Sequence, residues 1–341
     1  MFKAVEKDDS ESITTYNEFK KLLLIWNLLR LTASKDKIYA IFFGWGVSNR
    51  DFQKLKKTLL TYLPPINSLI TFFDTIFKLF EMMQTRAFKA KMTYINMTLD
   101  VGAYVNAYRV LCNYPEKFSK LILYLGEFHL MKEVFGSIGK LVAASGFQDV
   151  VFQAKICYTG SLDSVFSGVQ YNRCWFVHAT VAEALERLSE CLQHFIDGEV
   201  KVSHNIFDKV KLEQMDVDEL CQDNKINNFY DKYKSFQEEI SSRLHGKTSM
   251  FWTVFYLDIM SNLHKLHHSV QTNNYESRLE AILEILPLCF ALDKQIYTRY
   301  GSIYCHTLQH INETHPGNKE LTKLKWLSVQ GQDHLCCWHS Y

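Results

Sequence analysis

Proline and glycine are scarce in this chain, which has 5 prolines and 14 glycines among its 341 residues. Tight turns depend on these two residue types, so their scarcity excludes a turn-rich all-β fold. An excess of one charge is also lacking, since 38 basic and 37 acidic side chains give a net charge of +1. The net charge therefore gives no sign of nucleic-acid binding, although a protein with this net charge can still have a basic face.

Four catalytic signatures are missing: G-x-x-x-x-G-K-[ST], G-x-G-x-x-G, G-x-S-x-G and C-x-x-C. Without them, nucleotide-binding, dinucleotide-binding and ordinary hydrolase classes lose their main sequence support. We therefore expect no small-molecule cofactor of these kinds.

Long apolar runs are lacking too. The runs at 68–83 and 250–260 are interrupted by charge, well short of the ~20 residues that a membrane span needs. The first residues are polar and acidic, without a secretory signal, and the 9 cysteines are irregularly spaced, as is typical of reduced thiols. We expect a soluble intracellular protein, nuclear or cytoplasmic, with no membrane partner.

Helical periodicity dominates what is present. Hydrophobic residues make up 47% of the chain, and they recur at helical spacing along most of it. β-prone runs are confined to residues 38–45, 92–99 and 121–126. We predict a mainly α protein of the α+β class, in which helices surround a small buried β-sheet.

A polar, acidic stretch after residue 197 divides the sequence. We predict four regions: a core domain with the small sheet at 16–197, a polar linker or insertion at 198–225, a C-terminal helical domain at 226–324 and an irregular tail at 325–341. The C-terminal domain is predicted to contain four helices, at 226–244, 248–271, 274–285 and 288–311.

An acid and a histidine follow the two central β-prone runs. Asp100 ends the first run, and His129 comes shortly after the second. If 121–126 is a strand parallel to the first, and not the end of a helix, the segment 101–120 is long enough for the crossover. Asp100 would then be a catalytic, metal-binding acid for Mg²⁺ or Mn²⁺, with His129 beside it. The alternative is that Asp100 caps the following helix and His129 is structural.

Other polar residues are weaker candidates. Two-metal chemistry needs further acids, for which Asp74 and Glu127 are the nearby candidates.

Arg173 and His178 are candidates for contacting nucleic-acid phosphate, the alternative being a solvated arginine and a packed histidine. Histidines at ligand spacing suggest a zinc site, without an H-E-x-x-H pattern: His264, His267, His268, His306 and His310. A last set of ligand-type residues has loops too short for ordinary four-coordination: His334, Cys336, Cys337 and His339.

Four blocks resemble a known family. They lie at residues 62–67, 99–107, 125–147 and 167–188. In that order they resemble the patterns Y-x-P-x-I-N, F-D-Q-x-x-Y-x-K-A, L-G-G-F-H…I-G…S-G-L and S-G-K-x-Y-N-R-x-x-R-x-H…E-A-L-x-R-L. The family is an uncharacterised, multicopy group of animal proteins, known as a domain of unknown function. Its members resemble genes of mobile elements. A weaker match extends the resemblance to roughly 20–320.

The resemblance implies, by analogy, a degenerate ribonuclease-H-like transposase core with helical additions. Four positions depart from the family pattern by losing a polar or basic group: Val101, Asn106, Val169 and Phe176. We therefore predict a degenerate, inactive relative of a metal-dependent DNA transposase, with DNA as a partner and phosphoryl transfer as the ancestral chemistry. The alternative is a non-catalytic helical module for protein interaction or self-association.

Overall fold

The computed structural model describes residues 19–25, 66–188, 222–242, 246–271, 274–316 and 327–328. Three predicted features lie outside these residues: the β-prone run at 38–45, the greater part of the linker at 198–225, and the ligand-type residues of the tail.

Helices make up most of the described chain. In order they are α1 (Phe73–Lys89), α2 (Val101–Asn113), α3 (Glu127–Val142), α4 (Phe147–Gln153), α5 (Thr159–Phe166), α6 (Tyr171–Leu188), α7 (Asn224–Ser241), α8 (Gly246–Met250), α9 (Tyr256–Gln271), α10 (Tyr275–Ala291), α11 (Gln295–Gln309) and α12 (Ile311–Thr314). A π-helical segment, Phe251–Phe255, joins α8 to α9. Residues 19–25 are also helical. In the part of the chain described, no helix combines the length and apolarity required to cross a bilayer.

The small sheet has the strand order β2-β1-β3, with β1 at Ile95–Leu99, β2 at Leu121–Leu125 and β3 at Leu327–Ser328. β1 pairs with both neighbours in parallel. Every residue of β2 is buried, which explains its unbroken apolar sequence. The prediction of a mainly helical fold with a small buried sheet is confirmed, as is the parallel pairing of the two central runs across α2.

The chain divides into two compact units. The first, here the helical unit, comprises Met1–Lys54, Phe135–Thr272 and Glu276–Ala281. The second, here the sheet unit, comprises Leu55–Val134, Asn273–Tyr275 and Ile282–Tyr341.

The core of the sheet unit is rich in tyrosine. Tyr304 packs edge-to-face against Tyr104 and Tyr124, with ring centroids 6.1 and 6.3 Å apart, and all three rings are buried. Such edge-to-face pairs add a favourable electrostatic term to the burial of the rings. They fix α11, which carries Tyr304, over α2 and β2.

The predicted break between helices near Pro287 is wrong. Pro287 lies inside the continuous helix α10, because burial of the neighbouring Leu286 and Leu288 compensates for the backbone hydrogen bond that proline cannot donate. The helix ends after Ala291 instead, where Asp293 has a left-handed backbone with φ of 53°. A residue in this conformation commonly ends a helix and lets the chain turn away from the helix axis.

Candidate functional site

Asp100 lies at the carboxyl end of β1, directly before α2. Its backbone is extended, and its Oδ1 accepts a hydrogen bond from the backbone N–H of Ala103 at 2.8 Å. This is the geometry of a helix N-cap, in which a carboxylate satisfies a free N–H and faces the positive end of the helix dipole. One carboxylate oxygen is therefore engaged by the fold itself.

The end of β2 lies beside Asp100. Leu99 pairs with Leu125, and the N–H of Gly126 donates to the carbonyl of Leu99 at 2.7 Å. A Cβ at Gly126 would lie only 3.1 Å from that carbonyl oxygen, so the glycine permits this close approach of backbones. The register brings the start of α3, with Glu127 and His129, to the same edge of the sheet as Asp100.

The two side chains at the start of α3 differ in environment. Glu127 is buried, whereas His129 is half-buried and its ring packs edge-on against Phe128 at 5.4 Å. Asp74, the other predicted acid, is exposed in the first turn of α1. The structure therefore places the predicted pair Asp100 and His129 at one sheet edge, and their catalytic roles stay predictions.

Three residues of this region carried no sequence signal. The ammonium of Lys294 donates to Glu133 Oε2 at 2.7 Å. The nearby Tyr297 is buried, and its hydroxyl has no hydrogen-bond partner among the described residues. Burial raises the pKa of Tyr297, and the charges of Glu133 and Asp100 raise it further, so the hydroxyl stays protonated. Glu133 lies 161 positions from Lys294, so no spacing rule connects it with the other two residues.

The zinc hypothesis has no ligand set. Among the described residues, no three His, Cys, Asp or Glu side chains are grouped so that they could hold a metal ion. His264 and His267 instead pack against the indole of Trp175, at 4.8 and 4.6 Å between ring centroids. His306 and His310 are exposed and in contact with each other.

Arg173 and His178 lie in the helical unit, both on α6. Arg173 is exposed and donates to the hydroxyl of Ser161. His178 is fully buried, and its ring is stacked between Phe135 and Phe147 with centroids 5.4 Å from each. Burial lowers the pKa of His178 to about 3, so the imidazole is neutral at pH 7. A neutral, enclosed ring offers no charge to a phosphate, and the nucleic-acid role of the two residues stays a prediction.

The π-helical segment Phe251–Phe255 borders this histidine. Trp252 stacks almost parallel on Phe147, with an angle of 2° between the rings, and Tyr256 follows directly and bonds to His178. Single π-helical turns are frequent at functional positions of helices. Sequence periodicity did not reveal this segment, because it differs from an α-helix by one residue per turn.

Comparison with known proteins identifies the family of the chain. A family model described as "Domain of unknown function (DUF8702)" matches residues 44–339, which is most of the chain. No curated protein and no solved structure matches the chain.

Proposed function

Because this chain belongs to the DUF8702 family of unknown function, we propose that it is a non-catalytic relative of a metal-dependent DNA transposase, acting by binding alone. The observation that carries the proposal is the N-cap at Asp100, whose carboxylate holds the N–H of Ala103 at 2.8 Å. An acid in this position serves the fold without any metal ion.

The charges around Asp100 support the same conclusion. Glu133, the other acid that acts on Tyr297, is already neutralised by Lys294 at 2.7 Å. The lysine ammonium meets the negative charge of Glu133 without a metal ion. At Glu133, therefore, the chain supplies its own counter-charge.

The mobile-element origin rests on the resemblance of the four sequence blocks. Two of the positions that depart from its patterns are Val169 and Phe176, which are 62% and 49% exposed. Basic side chains at these exposed positions would be available to phosphate, and the apolar ones are not. The departures are thus consistent with loss of an ancestral DNA contact.

Calorimetric titration of Mg²⁺ and Mn²⁺ into the full chain tests this proposal. Asp100→Asn retains a capping side chain but loses the negative charge. Asp149→Asn is the matched control, at an exposed acid in the first turn of α4 that belongs to no candidate site. We expect no saturable heat from the unmodified protein or from either variant, and no metal-dependent cleavage of DNA. Saturable binding that disappears in Asp100→Asn but persists in Asp149→Asn would overturn the proposal.

A second candidate function, a self-associating protein-interaction module, is favoured by exposed apolar side chains of the helical unit. These are Val150, Phe152, Tyr158, Val169 and Phe176. Large exposed apolar surfaces mark sites of protein association. Sedimentation velocity over a concentration series should then show a dimer that dissociates in the double variant Phe152→Ser/Phe176→Ser. A monomer at all concentrations would reject this candidate.

A further inference from the structure

A surface of the sheet unit combines cations with aromatic rings. It consists of Arg86, Phe88, Lys89, Lys91, Tyr94 and Lys120, here called the basic–aromatic surface. Its four cationic side chains and Phe88 are exposed, and Tyr94 is half-buried. None of these residues is a candidate for the site at Asp100 and His129, so the surface is separate from that site.

Backbone hydrogen bonds bring the parts of this surface together. At the end of α1 the chain folds back, with the N–H of Lys91 donating to the carbonyl of Phe88 at 3.1 Å. Tyr94 follows directly, and the N–H of Ile95 donates to the carbonyl of Lys120 at 2.9 Å. The end of α1, the start of β1 and the start of β2 therefore meet at the amino-terminal edge of the sheet.

The ring of Tyr94 is held in place by His315. The two rings pack edge-to-face at 5.2 Å, and His315 Nε2 donates to the carbonyl of Ser119 at 2.9 Å. This histidine thus connects Tyr94 to the segment that carries Lys120. The position of the Tyr94 ring is therefore fixed by the fold.

Negative charge is missing from both segments that form the surface. The sequence has no acid between Glu81 and Asp100, and none between Glu116 and Glu127. Glu81 itself is paired with Lys117 at 2.6 Å. In a chain whose total charge is close to zero, this is a local concentration of positive charge.

Phe88 is 85% exposed. A single exposed phenyl ring is common on protein surfaces and needs no explanation by itself. Here, however, Phe88 belongs to the same turn of chain as the exposed Arg86, Lys89 and Lys91, at the end of the sheet where Tyr94 and Lys120 also lie. Cations that follow a phosphate backbone and rings on which bases stack are the two elements of single-strand recognition.

We propose that the basic–aromatic surface binds single-stranded nucleic acid, with Phe88 and Tyr94 stacking on bases and the cations contacting phosphates. The inference deepens the binding role proposed above and rests on it for biological meaning. The metal titration at Asp100 and the binding test at this surface have separate readouts, so failure of one leaves the other unaffected.

Fluorescence anisotropy of a labelled oligothymidylate, titrated with the full chain at several salt concentrations, tests the proposal. We expect binding at low salt that weakens as salt increases. In Lys89→Gln/Lys120→Gln, the salt slope should fall by about 1 to 2, because roughly one counterion is released per phosphate contact. Phe88→Ala should weaken binding roughly ten-fold with an unchanged salt slope, because it removes stacking without removing charge.

Matched controls separate this surface from general electrostatics. Lys140→Gln/Lys247→Gln removes the same charge from exposed lysines of the helical unit and should leave binding unchanged. The circular dichroism spectrum and Tm of each variant report whether it folds. The proposal is overturned if the unmodified chain does not bind, if the control pair weakens binding equally, or if Phe88→Ala has no effect. Binding to anionic phospholipid vesicles without binding to the oligonucleotide would also overturn it, by assigning the surface to membranes.

Discussion

The Nδ1 atom of His178 lies 3.0 Å from the hydroxyl of Tyr256, and both side chains are fully buried. The same hydroxyl donates to the backbone carbonyl of His178 at 3.3 Å. The Tyr256 hydroxyl has one proton, which it donates to this carbonyl, so in the contact with the ring it is the acceptor. Nδ1 of His178 therefore carries the hydrogen of the neutral ring, and Nε2 carries the lone pair. The pair is a small polar centre within an aromatic core, and it makes the stability of the helical unit depend on pH.

Acidification should destabilise the protein through His178. Its pKa is about 3 in the folded chain and 6.5 when unperturbed. The unfolded chain therefore binds a proton that the folded chain does not, so this stabilisation is complete above pH 6.5 and decreases as pH falls toward 3. Between pH 7 and 5 the loss from this group is about 2 kcal/mol. Urea unfolding at both pH values measures it.

His178→Phe should lose less free energy of unfolding between pH 7 and 5 than the unmodified chain does. A dependence remains, because burial also lowers the pKa of His267 to about 4. The control is His306→Gln at an exposed histidine, which should retain the full dependence on pH. Equal dependence in His178→Phe and in the unmodified protein would contradict the burial of His178 as a neutral base.

Asp100 should contribute to stability as a cap. Asp100→Ala removes the acceptor for Ala103 and should lower the free energy of unfolding by about 1 kcal/mol. Asp100→Asn keeps an acceptor and should change it by much less, since asparagine caps helices nearly as well. Chemical denaturation of the two variants decides. If Asp100→Asn lowered the free energy of unfolding as much as Asp100→Ala does, the fold would depend on the charge of Asp100 and not on its capping hydrogen bond.

Gly139 should be sensitive to the addition of a single methyl group. A Cβ at this position in α3 would overlap the carbonyl group of Phe166, so Gly139→Ala should destabilise by about 1–3 kcal/mol. Gly160 in α5 is the matched control, because a Cβ there meets nothing within 4 Å. Gly160→Ala should stabilise by about 0.5–1 kcal/mol through helix propensity. Thermal unfolding of both variants should therefore give shifts of opposite sign.

Two buried tyrosines should respond oppositely to loss of the hydroxyl. The hydroxyl of Tyr275 donates to the carbonyl of Leu308 at 2.7 Å, whereas that of Tyr297 lacks a partner within the described ranges. Tyr275→Phe should cost about 1 kcal/mol, because the carbonyl loses its donor. Tyr297→Phe should be neutral or stabilising, because it removes a buried group that is not satisfied. Denaturant midpoints of the two variants provide the comparison.

Local pattern was sufficient to predict β1, β2 and most of the helices. It did not predict β3, which lies in the tail that we expected to be irregular. The run that became β1 was visible because it alternates in polarity, and the run that became β2 because it is continuously apolar, as buried parallel strands are. The acid at the end of β1 was visible because it closes the first of these runs. The boundary near Pro287 was predicted wrongly, because a local rule for proline cannot register the burial of Leu286 and Leu288. Packing decided that boundary, not propensity.

The polar centres could not be predicted from the sequence. His178 and Tyr256 are separated by 78 positions, and the ion pair of Glu133 with Lys294 by 161. No periodicity connects residues at such distances along the chain. The basic–aromatic surface could be predicted in part. Three of its cations are close together in sequence, whereas Lys120 joins them only through the pairing of β1 with β2.

The sheet also has an order of assembly during synthesis. β1 and β2 are separated only by α2 and a short connection, so they can pair as soon as Leu125 has left the ribosome. β3, at Leu327–Ser328, pairs with the opposite edge of β1 through Met97 and Thr98. Among the described residues, that edge finds its partner roughly two hundred positions after β2, a count that follows from the positions of β2 and β3. An open strand edge invites pairing with other chains, so we expect β1 of the nascent chain to be prone to such pairing until residues 327–328 have been translated.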